Sequence, residues 1–303
     1  MTRKKIFCLL SIGIYCVLLQ GQKIYVDQLY AEITKSTFTY ADTLKLDYYT
    51  ATEADSNKDR PLIILVHGGG FSGGSRDNPV ESKFCETMAS KGYAVTSMSY
   101  NLTRKGKSTG FGCDCPAVEK IETFKQTTED ILNAIKFLKE NTKVAFHPER
   151  IILVGSSAGA EGVLITAYLS QHPAFNDLPF SQTDIAAVIS FSGAVLDSRY
   201  INNTNLVPAF LIHGKKDKLV PYATAAHHYC NPEDAGYLML DGSSTIAQRL
   251  KDNNASYYLL SDPEGSHDWA NLGYQYTSEI AEFINDVVME KKTVQRDITA
   301  TTN

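Results

Sequence analysis

The sequence predicts an α/β fold: a mostly parallel central sheet with helices packed on both faces. Short apolar runs of strand length alternate with helical stretches along nearly the whole chain. No Pro/Ser linker, internal repeat or low-complexity block interrupts that alternation. A hydrophobic content of 43 % over 303 residues is enough to bury one large core, so one domain is expected.

The first segment is of another kind. Met1 to Lys5 holds three cations, Ile6 to Leu19 is apolar, and Gln20-Gly21-Gln22 breaks the run. That is the shape of a secretory signal peptide, and it is short for a membrane span. The expectation is a signal over residues 1–21, cleaved after Gly21, and a single domain over 22–303 in a secreted or periplasmic protein. Cys16 lacks the small residues before it that a bacterial lipoprotein signal shows. Loss of Arg3, Lys4 and Lys5 takes the formal net charge from −5 to −8. An acidic chain without a basic run is a poor partner for nucleic acid or anionic membrane.

The elements follow in order. Strands are predicted over 44–49, 62–66, 94–99, 151–154, 186–191, 209–213 and 256–260. Residues 101–116, rich in Gly and Lys, read as a surface excursion. A helix is predicted over 118–140, where Ile131, Ala134, Ile135 and Leu138 recur at helical spacing. The small-residue stretch 160–169 is a second helix. His227 and His228 are expected in another. Residues 231–254 carry no assignment, and the polar tail beyond about residue 289 reads as loose. Past the signal, Cys85, Cys113, Cys115 and Cys230 allow three pairings, which spacing does not choose between. Cys113-Asp114-Cys115 has no further ligands at metal spacing, so a disulfide is favoured over a metal.

Two motifs carry chemistry. Gly155-Ser156-Ser157-Ala158-Gly159 has the form G-x-S-x-G between the strand at 151–154 and the helix at 160–169. A strand entering a helix through such a turn presents the Ser157 hydroxyl on a strained backbone and offers the Ala158 NH to a developing oxyanion. His67-Gly68-Gly69-Gly70-Phe71 follows the strand at 62–66. Its glycines expose successive backbone NH groups, and those of Gly69 and Gly70 would join Ala158 in holding an oxyanion. A phosphate loop would open a helix, whereas these glycines run into the loop Phe71-Ser72-Gly73-Gly74.

Together these motifs resemble the α/β-hydrolase superfamily, specifically its HGGGF-type serine esterases and lipases. The likeness is greatest to the compact carbohydrate and feruloyl esterase-like (BD-FAE-like) members. It runs from about residue 38 to residue 284. It implies a catalytic triad in the chain order serine, acid, histidine. In this family the acid lies after a late strand in the pattern HG-x-x-D-x-x-VP, which His213 to Pro221 matches, so Asp217 is implied as the acid. Asp197, after the preceding strand, is the runner-up. The resemblance implies His267, in the loop after the strand at 256–260, as the base, and His67 as a brace for its own loop. Asp268, adjacent to His267, is a loop or helix-entry residue.

Each residue type has a reason. A serine hydroxyl needs a neighbouring base to take its proton. Histidine takes the proton and returns it to the leaving alkoxide, and a carboxylate fixes the imidazole tautomer. No cofactor or metal is implied. Only residues 194–208 separate two successive strands where relatives insert a lid, so a site without a large lid is expected. One wall is expected from 231–254, and Trp269 is a candidate stacking surface. The expected protein is a secreted serine carboxylic ester hydrolase. It would act on small-molecule or polysaccharide-linked esters with short, acetyl or aryl acyl groups. The rivals are a serine peptidase of the same fold and an inactive binding protein on this scaffold.

Overall fold

The computed structural model describes residues 22–180 and 184–300. The expected signal over 1–21 lies outside them. In chain order the elements are β1 (Ile33–Ala41), β2 (Leu44–Ala51), β3 (Leu62–Val66), α1 (Pro79–Ser90), β4 (Ala94–Met98), α2 (Ala117–Glu140), β5 (Ile151–Ser156) and α3 (Ala158–Tyr168). There follow β6 (Ile185–Phe191), β7 (Ala194–Val195), β8 (Ala209–Gly214), β9 (Thr224–Ala226), β10 (Met239–Gly242) and α4 (Ser243–Asp252). The chain closes with β11 (Tyr257–Asp262), α5 (Trp269–Leu272), α6 (Thr277–Ile284) and β12 (Gln295–Thr299).

Nine strands form one sheet in the order β1-β2-β4-β3-β5-β6-β8-β11-β12. β1, β2 and β4 pair antiparallel, and every pairing from β4 to β12 is parallel. β7, β9 and β10 make a small separate antiparallel sheet.

Side chains of the central strands divide by the pleat. Leu62, Ile64 and Leu153 pack with Phe124, Ile131 and Val163 of α2 and α3 and with Ile246 of α4. Ile63, Leu65, Ile152 and Val154 pack with Phe84 and Met88 of α1 and Ile280 and Ile284 of α6. Burial on both faces explains the unbroken apolar runs, since each such side chain contributes about 1.5–3 kcal/mol. The chain runs from β3 to β4 on one side and returns to β5 on the other. The crevice between β3 and β5 is therefore the topological switch point, at the strands' carboxyl ends.

Four expectations change. The tail does not stay loose: β12 adds to the sheet edge beside β11. Its five residues are all exposed, so no apolar periodicity announced it. His227 and His228 sit in a three-residue 3₁₀ turn, broken by a left-handed His228 (φ 56). Residues 231–254 contain β10 and α4; Ile246 and Leu250 of α4 join the core, so this stretch is support, not simply a wall. Trp269 is buried, with its Nε1 donating to Asp262 Oδ2 at 3.0 Å, and offers no stacking face. Between β6 and β8 the chain makes only β7 and a turn at Ser198–Tyr200, with no large lid.

Candidate active site

Ser157 lies in the sharp turn between β5 and α3 at φ 51 and ψ −120, a conformation costly for a residue with a side chain. Its neighbours permit the turn. A Cβ on Gly155 would stand 2.3 Å from the Gly159 carbonyl oxygen, and one on Gly159 would stand 2.2 Å from that of Val66. The G-x-S-x-G spacing is thus a steric requirement. Ser156 is committed elsewhere: its hydroxyl donates to the Ala270 carbonyl at 2.8 Å.

The structure brings Ser157, His267 and Asp217 together. Ser157 Oγ is 2.8 Å from His267 Nε2, and His267 Nδ1 is 2.6 Å from Asp217 Oδ2. The two supporting loops are pinned to each other. Lys215 and Lys216 donate backbone NH groups to the Asp262 and Gly265 carbonyls, each at 2.8 Å. A side chain at Gly214 would collide with the Ser266 carbonyl at 2.3 Å, so that glycine permits the approach. Asp217 is wholly buried despite its three lysine neighbours in sequence. Its Oδ1 accepts from the Leu219 and Val220 amides at 2.8 and 3.0 Å. Burial alone would raise its carboxyl, but hydrogen bonds from His213 and His267 hold it well below the ordinary value. Asp197 is engaged instead by the Arg199 guanidinium and amide, at 2.7 to 3.1 Å.

The β3–α1 loop passes beside Ser157. Gly69 and Gly70 have φ of 122 and 59, which favour glycine. The Gly69 carbonyl accepts from the Ser72 and Gly73 amides, closing the turn. The amides of Gly69, Gly70 and Ala158 have no protein partner among the described residues. His67 braces the loop: its Nδ1 donates to the Gly68 carbonyl at 2.7 Å and its ring stacks on Tyr100 at 4.6 Å. Burial keeps this imidazole's pKa low.

A cavity of about 430 Å³ opens over Ser157. Its walls come from Phe71, Phe111, Leu219 and His228, and Glu161 and His227 line it as well. The disulfide Cys113–Cys230 joins the excursion bearing Phe111 to the turn bearing His227, while Cys85 and Cys115 are buried thiols. Gly236 locks the same junction, donating to the Cys113 carbonyl at 2.8 Å and accepting from Lys120 Nζ at 2.7 Å. Cys113, Cys230 and Asp234 cluster at ligand distance, but the disulfide occupies both sulfurs.

Sequence reasoning missed Glu161, Phe111, His213, His227 and His228 as site residues. Glu161 had a signal: it lies four residues after Ser157, one helical turn along the same face. His213 heads the HG-x-x-D pattern, whereas Phe111, His227 and His228 had no signal, because they reach the cavity from distant loops.

Residues 46–197 match the BD-FAE family. Gut esterase 1 of Caenorhabditis briggsae is 31 % identical over 137 residues, covering 45 % of this chain and 22 % of its own. Fumonisin B1 esterase of Sphingopyxis macrogoltabida is 31 % identical over 152 residues, covering 48 % and 26 %. The aligned part spans about a quarter of these relatives' length. The structure of Thermogutta terrifontis esterase 2 phosphorylated by paraoxon superposes with a TM-score of 0.57 at 19 % identity, over 84 % of this chain and 94 % of that one. That likeness is one of fold.

Proposed function

We propose that this chain, which belongs to the BD-FAE family of α/β-hydrolase esterases, cleaves carboxylic esters through an acyl-enzyme on Ser157. The observation that carries the reading is the unbroken chain Ser157–His267–Asp217, at 2.8 and 2.6 Å, on a strained turn that opens into a cavity.

The chemistry runs in two halves. Ser157 Oγ attacks the ester carbonyl carbon while His267 Nε2 takes its proton. The carbonyl electron pair moves onto oxygen, where the amides of Gly69, Gly70 and Ala158 receive it. Collapse breaks the bond to the alkoxy oxygen, and His267 returns the proton to that leaving group. Water then attacks the acyl carbon, His267 again relays a proton, and the acid departs from Ser157. Asp217 holds the His267 tautomer that leaves Nε2 free to accept.

The cavity, without a large lid over it, suits short acyl groups or a flat aryl group, with the alcohol extending outward. An exported protein acting on small esters or polysaccharide-linked esters fits the N-terminal sequence and a disulfide between distant loops. Intact-mass measurement of extracellular protein should give a chain beginning at or near Gln22; a membrane-held chain retaining residues 1–21 contradicts export.

Labelling with a fluorophosphonate probe tests the core of the reading. The wild type should label on Ser157 and hydrolyse a short ester. Ser157→Ala should lose both, with turnover falling on the order of a millionfold. A labelled Ser157→Ala protein, or loss of labelling on Ser156→Ala alone, would move the nucleophile.

A further inference from the structure

The catalytic chain leaves two buried polar groups beside the nucleophile unexplained. Glu161 and His227 are each 1 % exposed and line the same cavity as Ser157. Glu161 Oε1 lies 3.3 Å from His227 Nε2 but out of line for a hydrogen bond. Glu161 Oε1 and, on the other side of the ring, His227 Nδ1 have no hydrogen-bond partner among the described residues. Native proteins rarely leave such atoms unpaired, and an orphan at a cavity wall points to a ligand. Both residues are anchored by their surroundings. Glu161 sits in the first turn of α3, whereas His227 is held by the disulfide next to Phe111, whose ring meets it edge-on at 5.3 Å.

The two groups also define what they accept. Burial raises the Glu161 carboxyl well above its usual value, opposed by the Lys120 charge and reinforced by that of Asp217. Burial, with the electrostatic influence of His228 and Lys120, lowers the His227 imidazole well below its usual value. A carboxyl oxygen and an imidazole nitrogen, both buried and unpaired on one cavity wall, can between them accept from and donate to a hydroxyl, the complement of an alcohol. An alkyl group would leave both atoms unpaired, and a carboxylate would face a carboxyl group in a poorly solvated pocket.

We propose that Glu161 and His227 form a specificity subsite that binds an aliphatic hydroxyl on the ester substrate. The proposal rests on the esterase reading for its reaction and on these orphaned atoms for its ligand. The hydroxyl can belong to the acyl half or to the alcohol half of the ester. Two substrate pairs separate these sources: ethyl 3-hydroxybutyrate against ethyl butyrate, and glyceryl monobutyrate against propyl butyrate.

In one of the two pairs the wild type should favour the hydroxylated ester by about tenfold or more in kcat/KM, because a site built to pair a hydroxyl penalises its absence. Glu161→Leu should bring that ratio to within about threefold of one. Glu161→Gln, which keeps the volume and both hydrogen-bonding functions, should retain most of it, and it decides the matter if the leucine variant does not fold. Ratios near one in both pairs for the wild type overturn the subsite, as does a preference unchanged in Glu161→Leu. Calorimetric binding of the same esters to Ser157→Ala separates the two readings. If nothing is hydrolysed the esterase reading fails, yet tighter binding of a hydroxylated ester still supports the subsite, and equal binding of both members of each pair overturns it.

Discussion

His213 Nε2 stands 3.3 Å from Asp217 Oδ2, the same oxygen that lies 2.6 Å from His267 Nδ1, and both His213 and Asp217 are fully shielded from solvent. The Val220 carbonyl also lies 3.1 Å from His213 Nε2, and a carbonyl only accepts, so this nitrogen carries hydrogen. The Ser243 hydroxyl lies 2.8 Å from Nδ1. The imidazole NH that serves the Val220 carbonyl thus also lies beside the buried acid. Together with the two backbone amides on Oδ1, it holds the carboxylate ionised and oriented toward His267.

Asp217→Asn should therefore cut kcat by about four orders of magnitude, through the wrong His267 tautomer, with little change in KM. Asp197→Asn should stay within a few-fold, because Asp197 serves Arg199 at a turn. Steady-state rates on a short ester compare them, and the reverse pattern would relocate the acid.

The same contacts make Asp217 a source of acid sensitivity. Its folded-state pKa is depressed below the ordinary 3.8, so its ionisation adds stability that is complete above that value. The stabilisation is lost progressively as pH falls from about 3.8 through the lowered value. Between pH 5 and pH 2 the melting temperature of the wild type should drop more than that of Asp217→Asn. Equal drops in the two proteins would show that this carboxylate contributes nothing to acid unfolding.

The Cys113–Cys230 crosslink spans 117 residues of chain and joins two walls of the cavity. Replacing both cysteines by alanine should cost about 2–4 kcal/mol of stability. It should also lower activity by loosening Phe111 and His227. Denaturant melts and ester turnover measure the two effects. Peptide mapping should recover Cys113 and Cys230 crosslinked, and Cys85 and Cys115 open to alkylation only after unfolding.

Acetyl and butyryl esters should be cleaved faster than esters with acyl chains beyond about ten carbons. Each methylene is worth about 0.8 kcal/mol only where a pocket receives it, and a cavity of about 430 Å³ with a carboxyl and imidazoles in its lining offers no long apolar tunnel. Rate should not jump at the micelle concentration. Rising rates with chain length, or clear interfacial activation, would make this protein a lipase with a mobile cover.

Much of the site was legible before the fold. The elbow at Ser157 and the loop at Gly69 and Gly70 are local backbone devices, written in glycines a few residues apart, so a short stretch reports them. Asp217 was legible through its pattern after a late strand, and His267 through its place in chain order. β1 and β12 were harder because edge strands expose their side chains and need no apolar alternation. The buried state of Asp217, amid three lysines, was invisible from composition alone.

The sequence by itself determined the central strands, the long helix, the turn at Ser157 and the loop at Gly69 and Gly70, because burial periodicity and glycine sterics act over a few residues. Only the tertiary structure decided that Cys113 pairs with Cys230 while Cys85 and Cys115 stay free, that Glu161 faces His227 across 66 positions of chain, and that Phe111 walls the cavity. Those contacts depend on how far distant loops lean over the carboxyl ends of the sheet. That lean is set by packing among many elements, so no single segment records it.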